Sequence, residues 1–127
     1  MIYGVGTDLI EIVRVERVLQ RFGERFAQRI LCEPELRRFR AHRQPVAYLA
    51  KRFAAKEAFT KALGTGIHAP ANWHGVWVVN LMSGKPVLEF SPELKMLLQN
   101  RKSSGAHLSL TDERDIAAAT VIPECGA

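Results

Sequence analysis

The sequence is short of several things. Its 127 residues hold two cysteines, Cys32 and Cys125, set far apart and in no metal-ligand spacing. That pattern excludes a disulfide framework, gives no zinc site, and reads as free thiols in a reducing cytoplasm. No apolar run approaches the roughly 20 residues that a membrane helix needs. Met1-Ile2-Tyr3-Gly4 shows no basic segment leading into an apolar one, so a signal peptide is not expected. No serine stands in a Gly-x-Ser-x-Gly elbow, which leaves serine-nucleophile chemistry without support. Repeats, low-complexity tracts and linkers are missing too, and the length suits one domain over residues 1–127.

Acidic residues are in the minority. Thirteen Asp and Glu face 18 Lys and Arg, a net charge of +5, and eleven of the basic residues precede position 53. The excess favours an anionic partner: nucleic acid, a phosphorylated cofactor or an acidic protein. Otherwise the composition is that of a globular chain, 47% hydrophobic and 24% charged, which argues against disorder.

The periodicity predicts helices first and strands later. Residues 2–8 read as a strand with Gly4 and Gly6 on one face and Tyr3, Val5 and Thr7 on the other. A helix follows from Ile12, with Val15, Leu19 and Phe22 towards the core and Gly23 as its stop. Glu24 to Leu31 reads as a short helix, and another opens near Pro34. After Gln44-Pro45 the longest helix runs from Val46 to Leu63, closed by Gly64-Thr65-Gly66, and 67–74 is loop. Val76–Val79 and Val87–Phe90 read as strands joined through Ser83-Gly84-Lys85-Pro86. Ser91-Pro92-Glu93 opens a helix carrying Leu94, Leu97 and Leu98. Ala106–Thr111 and Ile116–Ile122 form a hairpin around Asp112-Glu113-Arg114-Asp115. The expected fold class is α+β, with helices packed on an antiparallel sheet.

The longest helix is where chemistry is expected. At 100° per residue Val46, Leu49, Ala50, Phe53, Glu57 and Thr60 share one face, while Lys51, Arg52 and Lys56 fall off it. Glu57 therefore sits among apolar neighbours, where a carboxylate is desolvated unless a cation or donor compensates. Lys61, four residues on, is one such cation, so a structural Glu57–Lys61 ion pair stands beside a functional reading. Asp8 is the second acid. It follows a Gly-rich strand whose glycines permit another backbone to come close, and it reads either as a turn cap or as a metal ligand. One Asp and one Glu on rigid elements suit Mg²⁺, which keeps waters and takes one or two carboxylates plus substrate phosphates. Gly64-Thr65-Gly66 offers backbone NH groups on which a phosphate could rest. His107, Ser109 and Thr111 share one polar face of a strand, solvent-exposed or ligand-binding. Arg14, Arg17, Arg21 and Arg25 draw a basic stripe, either a solvated face or a grip for an acidic helix or phosphate backbone, with Gly23 interrupting it before Arg25.

Together these segments resemble the 4′-phosphopantetheinyl transferases, and within them the short holo-[acyl-carrier-protein] synthase branch. The matching text is Gly4-Val5-Gly6-Thr7-Asp8-Leu9-Ile10-Glu11-Ile12, Arg52-Phe53-Ala54-Ala55-Lys56-Glu57-Ala58-Phe59-Thr60-Lys61-Ala62-Leu63-Gly64-Thr65-Gly66, Gly84-Lys85-Pro86 and His107-Leu108-Ser109-Leu110-Thr111-Asp112-Glu113-Arg114. The loop from Ile67 to Trp73, with Pro70, departs from the Gly-rich text usual after this helix. The resemblance implies Mg²⁺-dependent transfer of the phosphopantetheine arm of coenzyme A to a serine of apo acyl carrier protein, in fatty acid biosynthesis. It implies Asp8 and Glu57 as metal ligands and, with Lys61, as the catalytic set. It also implies coenzyme A contacts from Lys61, Gly64, Thr65, His107 and Arg52, carrier docking on Arg14, Arg17 and Arg21, and a cytoplasmic homotrimer with active sites between subunits. Two other readings compete: a small basic nucleic-acid-binding module, and an interaction domain in which Glu57–Lys61 is merely structural. No aromatic stacking pattern accompanies the basic residues, which weighs against the nucleic-acid module.

Overall fold

The structure, a computed structural model, describes residues 1–126. In chain order it consists of β1 (Gly6–Glu11), α1 (Ile12–Phe22), α2 (Glu24–Ile30), α3 (Glu33–Ala41), α4 (Pro45–Leu63), β2 (Val76–Asn80), β3 (Pro86–Phe90), α5 (Pro92–Asn100), β4 (Ser103–Asp112) and β5 (Ile116–Cys125). The strands make an antiparallel three-stranded sheet in the order β1-β5-β4 and a separate β2-β3 hairpin. This is the expected α+β arrangement, reached with the expected signals. Gly23 stops α1, and Ser91 caps α5 by accepting from the Leu94 amide at 3.2 Å.

Helix α4 runs through the middle. One hydrophobic cluster joins its Ala54, Ala55, Ala58, Phe59 and Ala62 to residues of β2, α5, β4 and β5. A second joins Tyr48, Leu49 and Ala50 to Val15, Ala27, Ile30 and Leu36 of the first three helices. Burying Leu49 and Phe59 contributes about 1.5–3 kcal/mol each. The helix is covered on almost every side, so its single amphipathic stripe, as read from periodicity, is a partial description. Arg52 and Lys56, which that reading places off the apolar face, are buried, and Glu57 is only half-buried. A helix covered all round carries little directional signal, because each side chain has a different neighbour rather than a common solvent face.

Two other boundaries move. The first strand pairs over Gly6–Glu11 rather than 2–8, and before it only an isolated bridge links Ile2 to Glu124. Asp8 thus lies within the strand instead of ending it. Phe22 is exposed rather than in the core, with the Arg21 guanidinium 5.1 Å from its ring centroid.

The strand and the helix touch backbone to backbone. A Cβ on Gly6 would stand 1.9 Å from the Ala58 carbonyl oxygen, and one on Gly4 2.5 Å from that of Ala62. No side chain fits there, which is the packing reason for both glycines. Gly6→Ala is therefore expected to cost about 3 kcal/mol or more in urea unfolding, at the upper end of overpacking penalties. A loss below about 0.5 kcal/mol would mean the approach is looser than described.

Candidate active site

Alternation along β1 sends Gly6, Asp8 and Ile10 towards α4 and leaves Thr7, Leu9 and Glu11 outside. The glycine contact brings this strand so near the helix that Asp8, level with Ala119 of β5, meets side chains one turn apart on α4. Lys61 donates to Asp8 Oδ1 at 2.9 Å and to the Thr7 carbonyl at 3.2 Å. Lys61 therefore pairs with Asp8, not with Glu57 as the structural reading had it.

Glu57 is left in a different position. Among the described residues its carboxylate has no ion pair or hydrogen-bond donor, and its pKa is raised from the ordinary 4.5. Partial burial is the larger cause and the negative charge of Asp8 the next, with Lys61 opposing both. A cation between the two carboxylates would offset both the burial of Glu57 and its repulsion by Asp8. Among the described residues no group of three or more His, Cys, Asp or Glu converges anywhere. Two carboxylates alone, on a strand and a helix, fit a hard cation that takes its remaining ligands from water and phosphate, as Mg²⁺ does. A depression of about 390 Å³ lined by Thr7, Asp8, Leu9, Lys61, Ala118, Ala119 and Thr120 opens at Asp8 and Lys61, with Glu57 outside its lining.

The other sequence candidates separate. Two of the three amides offered for phosphate are used by the helix cap: the Gly64 amide donates to the Thr60 and Lys61 carbonyls at 2.9 and 3.1 Å, and the Thr65 amide to Thr60 at 3.1 Å. Gly64, at φ 80°, is the left-handed cap of α4, and that helix end is the negative pole of its dipole. Arg52 is not brought to the acids either. It lies 4% exposed, its guanidinium 4.1 Å from the Tyr48 ring centroid, and donates to Asn80 Oδ1 at 2.9 Å. Asn80 in turn donates to the Gly84 carbonyl at 3.0 Å, so Arg52 braces the turn carrying Gly84-Lys85-Pro86. His107 is exposed on the outer face of the sheet, opposite Ile122 and paired with Glu124, while Asp8 is on the inner face. One chain does not join His107 to Asp8 and Glu57. Arg14, Arg17 and Arg21 are exposed along α1, directly after β1.

Sequence reasoning missed Lys56. Its ammonium, fully buried, donates to Glu35 Oε1 at 2.7 Å, to the Ile30 carbonyl at 2.6 Å and to the Trp73 carbonyl at 2.7 Å. Nothing local marks that pair, because Glu35 is 21 residues away. Arg101 was missed similarly; it donates to the Leu63 carbonyl at 2.9 Å, at the end of α4.

The raised pKa of Glu57 fixes a sign. The folded chain holds that proton more tightly than the unfolded one, so ionising Glu57 as pH climbs above 4.5 lowers stability. In chelator, Glu57→Gln is expected to raise the thermal midpoint at neutral pH, with the advantage vanishing below about pH 4, where the wild-type group is protonated as well. Melts across that range check it; a variant equally destabilised at both ends would contradict the electrostatic account.

The chain is similar over nearly its whole length to known proteins. The model of the 4′-phosphopantetheinyl transferase superfamily matches residues 4–121. The holo-[acyl-carrier-protein] synthase of Azoarcus sp. (strain BH72) is 51% identical over 124 residues, 98% of each chain. Among solved structures, the crystal structure of the holo-[acyl-carrier-protein] synthase from Neisseria meningitidis superposes with a TM-score of 0.95 at 44% identity, covering 98% of this chain and 99% of that one. A holo-(acyl-carrier-protein) synthase from Bacillus anthracis, in complex with CoA (3′,5′-ADP), gives 0.83 at 34% identity over 99% of both chains. The chain belongs to the holo-[acyl-carrier-protein] synthase family of the 4′-phosphopantetheinyl transferase superfamily.

Proposed function

We propose that the protein is a holo-[acyl-carrier-protein] synthase, which moves the 4′-phosphopantetheine arm of coenzyme A onto a serine hydroxyl of apo acyl carrier protein in fatty acid biosynthesis. The convergence of Asp8, Lys61 and Glu57, on a chain so close to named synthases, is the observation that carries the reading. In the reaction the serine oxygen forms a bond to the β-phosphorus, the bond from that phosphorus to the bridging oxygen breaks, and adenosine 3′,5′-bisphosphate leaves. Asp8 and Glu57 would hold Mg²⁺, which would supply positive charge to offset that developing on the pyrophosphate. Glu57, on the rigid helix and half-buried beside Asp8, takes the serine proton directly or through a water. Lys61, exposed at its ammonium while tied to Asp8, stands where it offsets negative charge on the phosphates. Coenzyme A also meets Gly64 and Thr65 at the end of α4, where their amides serve the helix cap and the Thr65 hydroxyl donates to the Gly66 carbonyl at 2.8 Å.

Arg14, Arg17 and Arg21 supply a basic face for an acidic carrier protein, and such steering weakens with salt. The outer face of the sheet supports an oligomer. Val5 and Leu9 are 59% and 67% exposed there, beside His107, so a second copy covers apolar surface and brings a neighbour's His107 towards the site. A homotrimer is the assembly we assign. The protein acts free of any membrane, among small molecules and carrier proteins of the cytoplasm; no helix is long and apolar enough to cross a membrane.

Mass spectrometry of apo acyl carrier protein incubated with this protein, coenzyme A and Mg²⁺ is expected to find one added phosphopantetheine, absent with chelator. Glu57→Gln is expected to lower turnover at least about 100-fold with the fold retained by circular dichroism. Wild-type-like turnover in that variant would sink the reading. Reversing Arg14, Arg17 and Arg21 to Glu should raise the KM for the carrier while leaving that for coenzyme A within about twofold, and should flatten the salt dependence.

A further inference from the structure

Helix α4 is held from two nearly opposite sides, and Glu57 projects from a third. Around the helix axis the side chains of Ala58 and Ala62, which face the glycine strand, lie about 140° from Lys56, and Glu57 lies about 100° beyond Lys56. The glycine contact is backbone against backbone and fixes distance. The apolar clusters around α4 confine it further, but neither they nor the glycine contact adds a directional polar bond next to Glu57. The opposite side is polar and directional: the three protons of the Lys56 ammonium go to Ile30 O, Trp73 O and Glu35 Oε1 at 2.6–2.7 Å. Glu35 is equally saturated, with Oε1 accepting also from the Cys32 amide and Oε2 from the Val78 amide, both at 2.9 Å. Neither residue is exposed at all. The node thus ties α4 to the end of α2, the start of α3, the loop after α4 and strand β2.

From this arrangement, resting on the reading of Asp8 and Glu57 as the metal pair, we propose that Lys56 is a positioning residue that sets the rotation of α4 and so aims Glu57 at Asp8. A merely apolar side chain at position 56 fills the same space but leaves the helix free to settle at another angle, which moves the next residue's carboxylate first. Metal binding and turnover then suffer together, beyond what lost stability accounts for.

The test compares three variants. Lys56→Met with Glu35→Gln removes both charges while the glutamine keeps an acceptor for the Val78 amide. Glu35→Gln alone strands the buried Lys56 charge and so costs more stability, but it leaves the ammonium on its two carbonyl partners and disturbs the aim of the helix less. Leu98→Ala, in α5, lowers stability without touching the node. Mn²⁺ affinity is measured by water-proton relaxation, without substrates, and kcat and KM separately at a temperature where melts find every variant folded. The double variant is expected to lose about 10-fold in both Mn²⁺ affinity and kcat, and Glu35→Gln about threefold, with Leu98→Ala within twofold of wild type. Values within twofold of wild type in folded double variant or in Glu35→Gln, or equal losses in Leu98→Ala, would overturn the proposal. Wild-type protein that neither binds Mn²⁺ nor modifies the carrier would instead remove the functional reading beneath it, and the proposal with it.

Discussion

The backbone of the first strand rests on the backbone of the central helix, and the candidate reactive centre depends on that contact. Gly4 and Gly6 are the residues that allow it, because a single methyl group on Gly6 would overlap the Ala58 carbonyl. Alanines 58 and 62 answer from the helix side by keeping their own bulk small. A carboxylate two residues along the strand is thereby delivered within reach of a lysine and a second carboxylate on the helix. Catalytic groups on a strand and a helix, rather than on loops, are held by the packing that holds the fold.

Among the described residues, charge is buried deeply at that helix and at Glu35, which packs against it. Lys56 and Glu35 are removed from water completely, and such a pair is sustained only when every remaining proton and lone pair is used. Here the ammonium has three acceptors and the carboxylate three donors, a saturated arrangement. Breaking it from one side strands the other charge, at a cost of roughly 3–5 kcal/mol. Cys32, close by, is pushed up to about 11 by burial and remains a neutral thiol, despite a lysine nearby. The polar node and the glycine contact constrain the same helix in different ways: one is chemically specific, the other steric.

Much of this was legible in the sequence because the signals were local. Gly23, Ser91 and Gly64 mark helix ends through their own backbone or side-chain chemistry, and each stands where that chemistry places it. The alternation of Gly4 and Gly6 against Val5 and Thr7 gave the two faces of the first strand correctly, though the paired length is 6–11. Glu57 stood out because a carboxylate among apolar helix neighbours is desolvated, and Asp8 because it accompanies a Gly-rich strand. The partners were not. Lys61 chooses Asp8, 53 residues away, over Glu57 one turn back, and Lys56 chooses Glu35; periodicity within one helix carries no information on either. The amides of Gly64 and Thr65 looked available for phosphate only until the helix cap claimed them. Arg52 looked like a surface cation because charge usually means solvent, whereas here an aromatic ring and an asparagine take its place.

The central claim is that Asp8 and Glu57 share one divalent cation. Crystals of the protein grown with Mn²⁺ and coenzyme A, and measured for anomalous scattering, address it most directly. The account predicts one peak bonded to an oxygen of Asp8 and an oxygen of Glu57, at a distance close to the roughly 2.0–2.1 Å typical of Mg²⁺, with phosphate oxygens completing the shell. A peak elsewhere, or a Glu57 carboxylate turned away from a cation held by Asp8 alone, would contradict it.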